Sequence, residues 1–368
     1  MKSLSLISAL RRYKSESTPI IGCFPLYPPV ELFTAMGFAP VVLWNLKKNI
    51  TGLADSDRHV QSYACGIVRE LVQFIISEGE FLSGIFFYNA CDTLRNTPEI
   101  LTVANEALGR STPMFRIHLP QVNRSVCDPG IYFENEIRRL LSSLEHEFGL
   151  TFSPEAFFQA TKAYAEMRGL CIAAEQGVAS GEIPFGAFSH AVLAGYYLPV
   201  EQQIDKLKAL IARKWASPSQ NKEKRVILSG IMPPPPTVIK AMENAGLRVV
   251  GNDIASLRRS YGYSPEPAED PATYYLDMFS RRFPCTTLLY TADNRVDTLL
   301  SMAEQTKADG MIFIGEKFCE HEYFEFPYME KRLQEKGVST LTLEFSVDDA
   351  DNVDSYLTRV EAFSELLA

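Results

Sequence analysis

A chain of 368 residues with 46% apolar and 22% charged side chains can bury a sizeable core and has room for two or three domains. That balance excludes the disordered and fibrous classes. A net charge of -9, with no basic run longer than a pair such as Arg11-Arg12, excludes a nucleic-acid surface, which needs clustered Lys and Arg against phosphates.

No apolar run approaches the roughly 20 residues that cross a bilayer. The run Leu4 to Leu10 is short and is followed, not preceded, by positive charge, so a cytoplasmic protein without a membrane partner is expected. The seven cysteines are odd in number, dispersed and free of any C-x-x-C, which suggests neither a disulfide framework nor a zinc ribbon.

Along the chain, Ile20 to Phe24 and Val41 to Trp44 read as buried strands around a helical segment from Val30 to Met36. A long helix follows, its apolar stripe formed by Ile67, Val68, Leu71, Val72 and Ile75. Phe81 to Tyr88 reads as a strand, Thr93 to Ala104 as a helix and Met114 to His118 as another strand. From Asp128 the pattern is helical, with Asp128 as N-cap and Pro129 at the first helical position. A further helix opens at Ser153-Pro154, and helices run to about Arg213 before a polar linker from Lys214 to Lys224.

Strand and helix then alternate again. Val226 to Ser229, Arg248 to Val250, Met311 to Ile314 and Ser339 to Leu343 are the expected strands. Helices are expected at Val238 to Asn244, Arg295 to Thr306, near Tyr328 to Glu335, and to Leu367. The fold class is therefore α/β: two doubly wound, flavodoxin-like parallel-sheet domains, residues 1–127 and 221–368, joined by a helical region, 128–220. A cleft between them would lie beyond the carboxyl ends of the strands, where such sheets hold ligands.

Cys91 and Cys319 each follow a strand and precede a helix, and Cys65 opens the helix carrying Ile67. A helix N-terminus stabilises a thiolate, which suits a ligand. An isolated cysteine near a strand end is also commonly a small buried hydrophobe, so on the residues alone both readings stand.

Several collinear segments resemble the 2-hydroxyacyl-CoA dehydratase and benzoyl-CoA reductase family. They are Ile21-Gly22-Cys23-Phe24-Pro25 with Glu31 and Gly37, Ala64-Cys65, Leu82-Ser83-Gly84, Cys91-Asp92-Thr93-Leu94 and Pro120-Gln121-Val122-Asn123-Arg124. In the second half come Val226 through Ile231, Asn252-Asp253, Asp309-Gly310-Met311-Ile312, Lys317-Phe318-Cys319 and Thr358 through Phe363. The likeness is greatest to the smaller, β-type subunit.

That resemblance implies one 4Fe-4S cluster, with Cys65, Cys91 and Cys319 at the matching ligand positions and one iron left without a cysteine. It implies a cluster in the interdomain cleft, a homologous larger subunit that holds most of the acyl-CoA substrate, and a separate ATP-dependent iron-sulfur activator. The implied chemistry is delivery of one low-potential electron to the thioester carbonyl, giving a ketyl radical anion. The chain has no G-x-x-x-x-G-K-S/T loop of its own, and no G-x-G-x-x-G. Cys23, Cys127, Cys171 and Cys285 are expected to be structural, and the absence of a Cys-Cys pair counts against a double-cubane relative.

Glu31 is the one candidate for acid or base work, although an acidic residue in a first turn commonly serves the helix dipole. His321 could lie near the cluster, and Ser229-Gly230 could present N–H groups to a CoA phosphate or to the partner. Two other readings stay open: a non-catalytic iron-sulfur electron-transfer or scaffold protein of the same fold, and a two-domain α/β enzyme without metal.

Overall fold

The computed structural model describes residues 5–122, 128–215, 223–292, 294–346 and 354–367; Cys127 and the greater part of the expected linker lie outside them. In chain order the elements begin α1 (Leu6–Ser15), β1 (Ile20–Cys23), α2 (Val30–Ala35), β2 (Ala39–Val42), α3 (Gly66–Glu78), β3 (Gly84–Tyr88), α4 (Asp92–Ala107) and β4 (Met114–Ile117). Four helices follow: α5 (Gly130–Phe148), α6 (Pro154–Ser180), α7 (Phe185–Gly195) and α8 (Val200–Ala212). The last stretch comprises β5 (Lys224–Gly230), α9 (Pro236–Asn244), β6 (Leu247–Ile254), α10 (Arg258–Tyr261), α11 (Pro271–Arg281), α12 (Leu289–Ala292), α13 (Arg295–Thr306), β7 (Gly310–Glu316), α14 (Glu320–Gln334), β8 (Ser339–Phe345) and α15 (Asp354–Leu366).

Two four-stranded sheets result, ordered β2-β1-β3-β4 and β6-β5-β7-β8, and every pairing is parallel. This is the flavodoxin-like order, in which the chain reverses direction between the two central strands. The second sheet shows why both faces must be covered. Val226 and Leu228 of β5 enter one apolar cluster with Ile312 and Ile314, whereas Ile227 enters another with Met311 and Phe313. Successive side chains point to opposite faces, so a strand apolar throughout needs helices on both sides.

Local chemistry sets the helix ends. The Ser153 hydroxyl accepts a hydrogen bond from Ala156 N–H at 3.2 Å, Pro154 occupies the first helical position, and the helix stops at left-handed Gly181. α5 starts one residue later than Asp128-Pro129 suggests: Pro129 is the cap, and the Asp128 carboxylate accepts from Gly130 N–H at 2.9 Å. Gly230, at φ 146°, ends β5 where a Cβ would lie 2.2 Å from the Ile314 carbonyl oxygen, so only glycine fits between these strands.

Two differences from the sequence expectation bear on function. α14 begins at Glu320, not near Tyr328, because Pro327 is accommodated inside the helix instead of marking its start. α11 has no counterpart among the expected elements; it packs on α5, and its Tyr274, Tyr275, Met278 and Phe279 join the core around the first sheet. Tyr27 Oη donates to Ala255 O at 3.2 Å, joining the first α/β unit to the second, and Tyr196 Oη, at the end of α7, donates to Ser256 O at 2.7 Å, joining the helical region to the second unit. Among the described residues no helix is long and apolar enough to cross a membrane.

Candidate metal centre

Cys65, Cys91 and Cys319 are the N-cap residues of α3, α4 and α14 respectively, and none uses its sulfur as a cap acceptor. Each cap carbonyl instead starts its helix, as in Val68 N–H to Cys65 O at 3.2 Å and Arg95 N–H to Cys91 O at 3.1 Å. All three side chains line one cavity of about 70 Å³. The cavity sits where the two topological switch points face each other. Phe24 to Tyr27 follow β1, Ala90 and Cys91 follow β3, Ile231 follows β5, and Glu316 and Cys319 end and follow β7. The carboxyl ends of both sheets thus close on the same space.

The wall is mostly apolar, built by Phe24, Trp44, Ile67, Val68 and Leu94, with Glu316 and His321 beside the thiols. Burial pushes the Cys65 thiol up to about 12, against the downward pull of the Val68 amide. Burial likewise raises Cys91, with the Leu94 and Thr93 amides opposing, and raises Cys319, where the Glu322 carboxylate adds to the effect. A bound cation reverses this balance, since a coordinating thiol is deprotonated outright. Among the described residues no three His, Cys, Asp or Glu side chains converge tightly enough for a single ion. A cluster makes a different demand: each thiolate binds its own iron, so the ligands must surround a shared space and not a common point.

The remaining cysteines separate from these three. Cys23, Cys171 and Cys285 are buried, whereas Cys65, Cys91 and Cys319 are partly accessible. Cys23 points into the core of β1 and donates to Ile21 O at 3.4 Å. Cys171 sits beside Met167 on α6, and Cys285 lies against Tyr27 and Arg259.

Sequence reasoning missed a buried polar cluster behind Cys319. Glu322, one turn into α14, accepts from Arg259 Nη1 at 2.6 Å, Arg295 Nη2 at 3.0 Å and Thr286 Oγ1 at 3.1 Å. Asp253 accepts from Arg259 Nε at 2.7 Å, Arg295 Nε at 2.9 Å and Ser229 Oγ at 2.9 Å. Two guanidiniums and two carboxylates with almost no solvent exposure therefore fix the first turn of α14 against β5 and β6. The Ser229 hydroxyl is engaged here, donating to Asp253 and accepting from Arg295 Nη2 at 3.0 Å. The available signal lies in Asn252-Asp253 and in Glu322, three residues past Cys319, but Arg259 comes from the short helix α10 and Arg295 opens α13, neither of which pairs with Glu322 in any local sequence pattern.

Glu31 lies elsewhere. Its carboxylate is buried, pairs with Arg168 and accepts from Tyr274 Oη at 3.1 Å and Tyr275 Oη at 2.9 Å, joining α2 to α6 and α11. It lines a second cavity, not the one holding the cysteines. His118 is on the surface beside Glu136, at the end of β4.

A two-domain parallel α/β protein with three helix-capping cysteines around one apolar interdomain cavity is the class that fold and site define. The chain matches the family model described as 2-hydroxyglutaryl-CoA dehydratase, D-component, over residues 25–367, and it belongs to that family. It is 27% identical over 351 residues to the (R)-phenyllactyl-CoA dehydratase beta subunit of Clostridium sporogenes, covering 94% of this chain and 91% of the relative. It is 26% identical over 387 residues to the beta subunit of the (R)-2-hydroxyglutaryl-CoA dehydratase of Acidaminococcus fermentans, covering 99% and 97%. To one of the subunits of the benzoyl-CoA reductase of Thauera aromatica it is 26% identical over 350 residues, covering 92% and 89%.

Proposed function

We propose that this chain is the β-type subunit of a heteromeric 2-hydroxyacyl-CoA dehydratase or benzoyl-CoA reductase-type enzyme. In this reading Cys65 and Cys91 of the first α/β unit, 1–127, and Cys319 of the second, 221–368, hold one 4Fe-4S cluster, with the helical region 128–220 connecting the units. The observation that carries the reading is the convergence of three helix-capping cysteines, distant in sequence, on one apolar cavity. Three soft thiolates suit iron-sulfur ligation. When bound, such a cluster supplies a low-potential one-electron carrier with one iron open to a further ligand.

The chain's own residues supply the surroundings. Phe24, Trp44, Ile67 and Leu94 give the thiols a mostly apolar surrounding, and the amide groups at the starts of α3 and α4 lie toward the sulfurs of Cys65 and Cys91, where they favour negative charge. Arg259 and Arg295 hold Glu322, and through it the turn that presents Cys319. Glu316, Thr287 and His321 are among the polar side chains that line the same cavity. The acyl-CoA is held mainly by a homologous larger subunit, and electrons come from a separate ATP-dependent iron-sulfur activator. Supporting both is the naming of the relatives as one subunit of a larger enzyme, together with the absence of a G-x-x-x-x-G-K-S/T loop from this chain.

The test is anaerobic coexpression with a homologous larger subunit and an activator, followed by turnover on a panel of 2-hydroxyacyl-CoA and aryl-CoA thioesters. Conversion that requires ATP, the activator and both subunits supports the proposal. A stable homodimer that holds iron and converts none of the panel replaces it with the electron-transfer or scaffold reading.

A further inference from the structure

A second cavity, of about 130 Å³, adjoins the cysteine cavity and shares Leu26, Tyr27 and Tyr88 with it. Its wall comes largely from α5, α6, α7 and α11 and is mostly aliphatic and aromatic. Several polar groups on that wall are committed within the protein: Glu31 to Arg168 and two tyrosines, Tyr88 Oη to Leu26 O at 2.7 Å, Tyr196 Oη to Ser256 O at 2.7 Å. Of the two arginines that line it, Arg168 has the Glu31 carboxylate as partner and Arg282 has none among the described residues.

Arg282 lies just past α11, with its guanidinium stacked over the Tyr27 ring at 4.0 Å. It makes no ion pair among the described residues, and its Nε has neither solvent contact nor a hydrogen-bond partner. Burial lowers its pKa, as expected for a cation with no carboxylate close by. A half-buried guanidinium at an apolar cavity, with a ring face but no carboxylate beside it, has donors left to offer an anion, and its flat fork matches the two oxygens of a carboxylate. The volume sets the rest of the ligand: an apolar cavity of roughly 150 Å³ holds a benzene ring.

We propose that this cavity binds a small apolar carboxylate, an aryl or short branched-alkyl acid, with its hydrocarbon in the apolar space and its carboxylate on the Arg282 guanidinium. This site is distinct from the thiols and does not depend on the cluster reading.

Calorimetry on anaerobically purified protein, with phenylacetate and the neutral 2-phenylethanol as probes, tests it. Phenylacetate is expected to bind once per chain and at least ~10-fold more tightly than the alcohol, as a charge-assisted carboxylate pair requires. Arg282→Met is expected to remove that preference while the alcohol still binds, and Ala191→Phe, filling the cavity from α7, to abolish both. A wild-type chain that ignores phenylacetate or does not prefer it overturns the proposal, as does Arg282→Met with unchanged affinity for the acid. Should Arg282→Met not fold, the wild-type preference and Ala191→Phe decide. A triple serine variant at Cys65, Cys91 and Cys319 is expected to bind the acid as wild type does, and loss of binding there overturns the assignment to this cavity.

Discussion

Arg259 Nη1 lies 2.6 Å from Glu322 Oε1, and both side chains are buried, one turn from Cys319. Removing one member of such a pair leaves a buried charge without compensation, which costs about 3–5 kcal/mol. Glu322→Ala is expected to lower unfolding stability by that amount in urea titrations. Metal content should fall with it, because the first turn of α14 carries Cys319. A fully stable Glu322→Ala protein would show that the pair does not hold this turn.

The same pair gives a pH signature. Burial alone would raise the Glu322 pKa, but the charges of Arg259 and Arg295 outweigh it and hold the group at about 2. An unfolded glutamate titrates near roughly 4.3. Because the folded value is the lower one, the contribution is fully present above the unfolded pKa and is lost as pH falls toward 2. Urea midpoints measured from pH 6 to pH 2 should drop through this window in the wild type. Glu322→Gln should start lower and drop less.

Glu31 binds Arg168 and two tyrosine hydroxyls, and that arrangement predicts an architectural effect. Arg168→Met, which strands the Glu31 carboxylate, is expected to cost about 3–5 kcal/mol. Glu31→Gln keeps a side chain of the same shape and should cost less. Iron content per folded chain should be unchanged in Glu31→Gln, since the side chain lines a different cavity. Loss of iron at full stability would tie Glu31 to the thiols.

Gly230→Ala tests the join between β5 and β7. The new Cβ would meet the Ile314 carbonyl oxygen at 2.2 Å, and backbone there cannot move without breaking the strand pairing. Destabilisation of more than about 2 kcal/mol is expected from thermal or chemical unfolding. A neutral substitution would mean that the two strands separate at this point in solution.

The sheets are legible in the sequence because parallel strands buried on both faces read as short apolar runs, as in β3 and β7. Each of the three candidate cysteines is also visible as a residue opening a helix. Their convergence is not, since it depends on two sheets presenting their carboxyl ends to each other. α11 carries readable chemistry, an Asp270 N-cap whose carboxylate accepts from Thr273 N–H at 3.0 Å and Pro271 at the first position, yet its surroundings of Pro and charged residues resemble a loop. The Asp253, Arg259, Arg295 and Glu322 cluster is hidden for a simpler reason. Buried charges look like surface charges until the fold puts their partners beside them.

Iron and sulfide analysis of the anaerobically purified chain, paired with Cys65→Ser, Cys91→Ser, Cys319→Ser and the control Cys23→Ala, tests the central claim most directly. The account predicts four irons per chain as the cluster requires, a deficit in each serine variant, and an undiminished count in the control, whose sulfur points into the core of β1. Full iron retention in any one of the three serine variants would contradict it.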